Sequence, residues 1–308
     1  MSQPKAVFAT ALPVFKSPPG FSLADAPPGF IIAALAILVV ALNAAIPLTW
    51  VNPAYKLLWP SLAFFAIAVV CHLRKRERAI VEIPLYLGYW MFYPSFLAKL
   101  TYFAARARFP LQDKLFLASD AAMGFHWVAW VPFLLAHPLL LQIQTFAYGS
   151  TFWQPLLAIP LLTLLGPPGR NSEFLTVMLF GGGLTTLTFM LLPTLGPLDM
   201  AGVSAPSGKF IHLLRSGFDG PYQLGGIISF PSFHIVMAIL DTAIYRGIRV
   251  LQPLALALNL VMLSAIPHQG DHYLSDLIAG AAIAIVSIAA ARILVARLSA
   301  PAGAATAS

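Results

Sequence analysis

Residues 30–50 run without a single charged side chain, and apolar stretches of similar kind recur down the rest of the chain. A helix needs about 20 mostly apolar residues to cross the hydrocarbon core of a bilayer. The feature therefore predicts an all-α fold, a polytopic bundle of membrane helices. Composition agrees: 59% of the residues are hydrophobic and only 9% are charged, whereas a soluble domain carries about a quarter charged residues. Such a chain cannot cover its surface with polar side chains, so lipid must solvate it. The formal net charge of +7 fits basic residues bordering apolar spans, where they set orientation. A membrane explains it better than nucleic acid, and no nucleic-acid partner is expected. Cys71 lies alone in an apolar run, so no internal disulfide can form. The first apolar run is too long for the core of a cleaved signal, and none is expected.

Eight spans are expected, at 30–50, 57–73, 83–103, 146–165, 174–192, 235–245 with its flanks, 250–266 and 277–294. Residues 126–136 are apolar but short and read as interfacial or re-entrant. Residues 106–125 are mixed and fit an outer interface. The cluster RKRER, 74–78, is the densest positive run and belongs in the cytoplasm. Arg246, Arg249, Arg292 and Arg297 mark further cytoplasmic ends, which puts both termini inside. By the same count the polar stretch 193–230 and the stretch 267–276 emerge together on the extracytoplasmic side. Gly181, Gly182 and Gly183 suit close helix packing. The expected division is a cytoplasmic segment with two accessory spans over 1–80, a six-helix core over 81–300, and a disordered tail over 301–308.

The two outer stretches carry the histidines. One ends in SFPSFH, 229–234; the other contains GDHYLSD, 270–276. One helical hairpin separates His234 from His272, so both stand at the same membrane level. His268, His272 and Asp276 follow at four-residue intervals, which a continuous helix would stack on one face. Asp276 can hold one imidazole nitrogen of His272 protonated and leave the other free to attack. His234 can serve as proton donor. Helix N-termini favour an anion, and Ser232 adds a hydroxyl. A nucleophile, an orienting acid, a proton donor and an anion cradle suit phosphoryl chemistry. Cations are also needed. KFIHLLRSG offers Lys209, His212 and Arg215 along one side of a helical segment, Arg215 as a bidentate grip and Lys209 as a point charge.

Other readings compete at several of these positions. His268 fits an interfacial histidine better than a zinc ligand sharing His272 and a carboxylate. Lys209 suits a lipid headgroup as well as a bound phosphate, and His212 a satisfied loop histidine. Asp271 reads as a helix-start acid, and Asp241 as a protonated or Arg-paired buried acid. Asp120 and His126, with Trp127 and Trp130, read as an aromatic belt. A transporter would spread polar groups over the midplane; here they gather at one face.

PSFH followed by GDHYLSD resembles the signature pair of the type 2 phosphatidate phosphatase superfamily, which includes the vanadium haloperoxidases. That pattern is Pro-Ser-x-His, then Gly-x-His with Asp four residues on, and the resemblance covers the six spans from Ile83 onward. HYLSDLIAG looks most like the inositol phosphorylceramide synthase branch. Ile266 stands where the wider family has Arg. The Lys-x6-Arg-Pro element is altered too, with five residues between Lys209 and Arg215 and Ser216 in place of Pro. The resemblance implies a phosphohistidine on His272, oriented by Asp276, with His234 as acid and then base. Arg215, Ser232, the Gly270 backbone N–H and Lys209 would hold the phosphoryl oxygens. It implies no metal and no cofactor. The partners it implies are a phospholipid and a lipid alcohol such as ceramide or diacylglycerol; a lipid phosphate phosphatase is the alternative.

Overall fold

A computed structural model describes residues 25–51, 56–202 and 205–299. The tail at 301–308 and most of the N-terminal segment lie outside these residues. In chain order the elements are α1 (Pro27–Ala45), β1 (Trp50–Val51), α2 (Leu58–Leu73), α3 (Arg78–Arg106), α4 (Asp113–Ala122) and α5 (Trp127–Leu135). Then come α6 (Pro138–Leu165), α7 (Arg170–Leu191), α8 (Pro197–Met200), α9 (Pro206–Ser216) and β2 (Tyr222–Gln223). α10 (Phe233–Ala243), α11 (Leu251–Gln269) and α12 (Leu274–Ser299) close the chain.

The protein is an all-α membrane bundle. α1, α2, α3, α6, α7, α10, α11 and α12 fall on the eight apolar stretches. Of these, α1, α7, α11 and α12 are both long and apolar enough to cross a membrane. α3 and α6 run 29 and 28 residues, while α2 and α10 are shorter apolar helices. Exposure is inverted relative to a soluble domain. Phe30, Phe146 and Ile285 stand 73%, 75% and 65% exposed, as side chains solvated by lipid do.

Without a hydrophobic drive between helices, packing and internal polar contacts hold a bundle together. Both are present. Gln154 and Asn259 exchange amide hydrogen bonds at 2.9 and 3.1 Å between α6 and α11, and Asn259 also donates to Thr242 of α10. Asn171 of α7 donates to Thr163 and Glu82. At the end that carries RKRER, Arg78 pairs with Asp25 and Glu82, and Arg246 and Arg292 pair with Glu173.

The opposite end is more ordered than a polar loop. α9 starts with Pro206 in its first turn and stops at Gly217, whose φ of 98° few other residues adopt. Its buried face, Ile211 and Leu214, packs with Tyr102, Phe189 and Tyr222. β1 pairs in parallel with β2, Trp50 opposite Tyr222, which ties the connection after α1 to this layer. The stretch expected as a mixed interface contains α4, a short helix that packs against α12 and α8.

Candidate active site

His234 sits in the first turn of α10 and His272 in the connection between α11 and α12. Their ring centroids are 6.1 Å apart. Both line one cavity of about 350 Å³, with Tyr148, Ser207, His268 and Asp271.

His268, His272 and Asp276 do not lie on one helix, contrary to the four-residue spacing. α11 ends at Gln269, and Asp271 takes a φ of 55°, which breaks the helical path. The break falls before His272, so only the second pair survives as a contact. His272 Nδ1 lies 3.1 Å from Asp276 Oδ2, with the side chains 2% and 0% exposed. The same oxygen accepts the Tyr273 N–H at 2.9 Å and the Ser229 hydroxyl at 3.4 Å. The other imidazole nitrogen, Nε2, lies 3.2 Å from the Ser232 hydroxyl.

Two glycines make room for this arrangement. A Cβ on Gly270 would run into the His272 ring, and one on Gly280 would run into Ile235 and the Ser232 carbonyl. Gly280 thus lets α12 lie against α10, where the Ser232 N–H donates to the Asp276 carbonyl at 3.2 Å. The Gly270 N–H closes the last turn of α11 on the Ile266 carbonyl at 3.0 Å. It is committed there, so the expected role of that N–H as a phosphoryl donor gives way to a steric one.

α4 supplies a clamp that sequence reading missed. Asp120 accepts from the backbone N–H of Leu274 at 2.9 Å and of Ser275 at 3.2 Å, and from the Ser275 hydroxyl. It caps α12 from a different helix, and it does not belong to an aromatic belt. Asp113, two turns earlier on the same face of α4, accepts from the N–H groups of Leu195 and Gly196 and from the Tyr273 hydroxyl at 3.0 Å. Asp271, expected as a helix-start acid, instead accepts the Leu198 N–H at 2.8 Å. Its second oxygen has no partner among the described residues. Burial raises its carboxyl above the ordinary carboxylate range.

Tyr148 of α6 was also unforeseen. Its hydroxyl lies 3.2 Å from His234 Nδ1, and the two rings stack with centroids 4.2 Å apart. No pattern marks it, because one aromatic residue within an apolar helix carries no periodic signal.

The structure brings His234, His272, Asp276, Ser232 and Gly270 together, but not Lys209 and Arg215. With Ile211 and Leu214 inward, the helical period turns Lys209 and His212 outward, and both are exposed. Arg215 donates to the Phe109 carbonyl at 2.8 Å; burial and neighbouring Arg108 lower its pKa from the ordinary value. His212 lies 3.3 Å from Asp199. The part of α9 that reaches the cavity is its start, Ala205, Pro206 and Ser207. Among the described residues no group of three His, Cys, Asp or Glu is gathered to hold a metal ion, so His268 and His272 are not joined by a carboxylate in that way.

Fold and site define a membrane-embedded helical bundle with a His–Asp pair and a facing histidine in one cavity at one end. The chain belongs to the PAP2 superfamily: the family model matches residues 114–290, more than half the sequence, from α4 into α12 and across both histidine segments. No curated protein and no solved structure matches the chain. Membership implies a phosphatase-type membrane enzyme.

Proposed function

We propose that this protein moves a phospho-head group, of phosphoinositol type, from a phospholipid to a lipid alcohol such as ceramide or diacylglycerol, at the extracytoplasmic face of the membrane. The observation that carries the reading is the Asp276–His272–Ser232 line facing His234 across one cavity. Asp276 Oδ2 already accepts the Tyr273 N–H, so an ionised Asp276 accepts from His272 as well, and the proton belongs on Nδ1. Nε2 then keeps its lone pair, which attacks phosphorus. The bond from phosphorus to the departing lipid oxygen breaks, leaving a phosphohistidine. His234 gives its proton to that oxygen. His234 enters this step protonated on both nitrogens: its Nδ1–H donates to the Tyr148 oxygen, and the proton given is the one on Nε2, which leaves a neutral ring. In the second half His234 takes a proton from the acceptor hydroxyl, whose oxygen attacks phosphorus and releases His272. Ser232 turns from Nε2 to a phosphoryl oxygen. Neither step requires a metal or a cofactor.

A hydrolytic reading uses the same steps with water as acceptor, and the polar lining of the cavity, Ser207, His268, Gln269 and Asp271, supports it. The test is purified protein with a phospholipid labelled in its head group, plus ceramide or diacylglycerol. A new labelled phospholipid supports transfer. Release of the labelled phospho-head group alone removes transfer and leaves hydrolysis.

A further inference from the structure

A second cavity, of about 410 Å³, lies beneath the first, between α3, α6, α7 and α10. The two share Tyr148, Gly226, Ile228 and His234 as common wall. The second is apolar, and its depth can be read from α3, whose residues from Trp90 to Thr101 line it. Eleven helical steps at 1.5 Å cover roughly 16 Å, about half of a hydrocarbon core of about 30 Å. Thr101 and Trp90 mark its two ends on α3. At the Trp90 end the indole ring lies 6.4 Å from that of Phe152.

The walls are cut for a slender guest. Gly182 faces Tyr93 and Leu97 so closely that a Cβ there would collide with both. Gly149 is exposed, and a Cβ on it would meet nothing within 4 Å, so the wall has an opening on the α6 side. A methylene fills roughly the space of one water, about 30 Å³, so the cavity takes on the order of a dozen carbons. One chain fits; two do not.

We infer that this cavity holds one hydrocarbon chain of the lipid phosphoester, threaded past Gly149 from the bilayer, while the ester stands between His234 and His272. The inference rests on the proposed chemistry for the identity of the head and on the cavity for the chain. It makes the enzyme a reader of chain length: a chain of about a dozen carbons fills the cavity, and a much shorter one leaves it part empty.

The experiment compares kcat/KM for two lipid phosphoesters of one head group, with chains of about 6 and about 14 carbons, in the native protein, Gly149→Leu and Ala98→Leu. Leu at either position grows into the cavity. The expected result is a long-to-short ratio well above one in the native protein, falling by about tenfold or more in both variants, since one methylene in a fitted pocket already changes discrimination that much. An unchanged ratio in both overturns the chain site. A second measurement needs no turnover: a lipid phosphoester carrying a photoreactive group near its chain end is cross-linked to the His272→Ala protein. Labelling around Trp90, Phe152 and Met237 supports the site even if no turnover is found, in which case the chemical reading falls alone. Labelling confined to lipid-facing positions such as Phe146 or Ile285 overturns the site even if turnover is normal.

Discussion

Asp120 touches neither histidine, yet its removal should cost activity as well as stability. The carboxylate is 2% exposed and accepts from two backbone N–H groups at the start of α12, at 2.9 and 3.2 Å, and from the Ser275 hydroxyl at 3.4 Å. Asp120→Ala leaves those two N–H groups without an acceptor in a partly buried place. The Ser275 hydroxyl can rotate to another partner, so its loss adds little. Removing an N-cap acceptor costs about 0.5–2 kcal/mol, and hydrogen bonds to a charged group are worth about 1.5–3 kcal/mol each. Part of this is offset because the burial of Asp120 itself no longer has to be compensated. The net loss should be about 2–3 kcal/mol. Asp120→Asn keeps one accepting oxygen but turns an amide donor toward the other N–H, and should lose about 1–2 kcal/mol.

Turnover should fall as well, because Leu274 and Ser275 directly follow His272 and Tyr273. If the start of α12 shifts by about 1 Å, the geometry between Nε2 and phosphorus is lost, at a cost of about a hundredfold. The assay pairs chemical unfolding in detergent with turnover of a labelled lipid phosphoester, for the native protein, both Asp120 variants and the lipid-facing Phe146→Ala as a reference. Turnover should fall about a hundredfold in Asp120→Ala and less in Asp120→Asn, with Phe146→Ala near native. Native turnover in Asp120→Ala would refute the idea that α4 holds the nucleophile in place.

His272→Ala should lower turnover by about four orders of magnitude or more, while insertion and the unfolding midpoint stay close to native. Tyr148→Phe removes the hydroxyl at His234 Nδ1 but keeps the stacked ring; kcat should fall about tenfold with KM nearly constant and the acid limb of the pH–rate profile displaced, and an unaltered profile would count against its role in setting the tautomer. Asp271→Asn can still accept the Leu198 N–H. Because the folded protein holds the Asp271 proton more tightly than the ordinary pKa of about 3.9, the native protein loses stability as pH rises from that value through the raised one. Asn escapes that loss, so unfolding at pH 8 should show it more stable than the native protein, with the gain absent near pH 3.

The fold was legible because apolar runs near membrane length leave few alternatives, and α1, α7, α11 and α12 lie close to where those runs placed them. The short helices were not. α4 carries Asp113, Lys114 and Asp120 among apolar residues and looks like an interface until its partners are known. Nothing in the order of residues says that Asp120 caps a helix more than 150 positions later. α9 shows the converse. The spacing of Lys209, His212 and Arg215 correctly put them on one side, but only packing decides which side faces inward, and Ile211 and Leu214 win that competition against Tyr102 and Tyr222. A row of cations on an amphipathic helix is thus more readily evidence of a wet face than of a ligand.

The His272 segment illustrates how a spacing can give the right neighbours through the wrong conformation. Four residues between His272 and Asp276 suggested one turn of a continuous helix beginning at His268. Instead the chain leaves α11 after Gln269, passes through the left-handed conformation at Asp271, and re-enters a helix at Leu274. Asp276 lies in the first turn of the new helix, where a carboxylate naturally folds back on the N–H just ahead of it, here that of Tyr273. That fold-back carries Oδ2 to His272 Nδ1. A continuous helix would have consumed the Tyr273 N–H in its own ladder and left His272 free to choose either tautomer. The break therefore makes the pair directional: the same carboxylate oxygen collects a backbone proton and an imidazole proton, and the nitrogen left bare is the one that faces Ser232, across the cavity from His234.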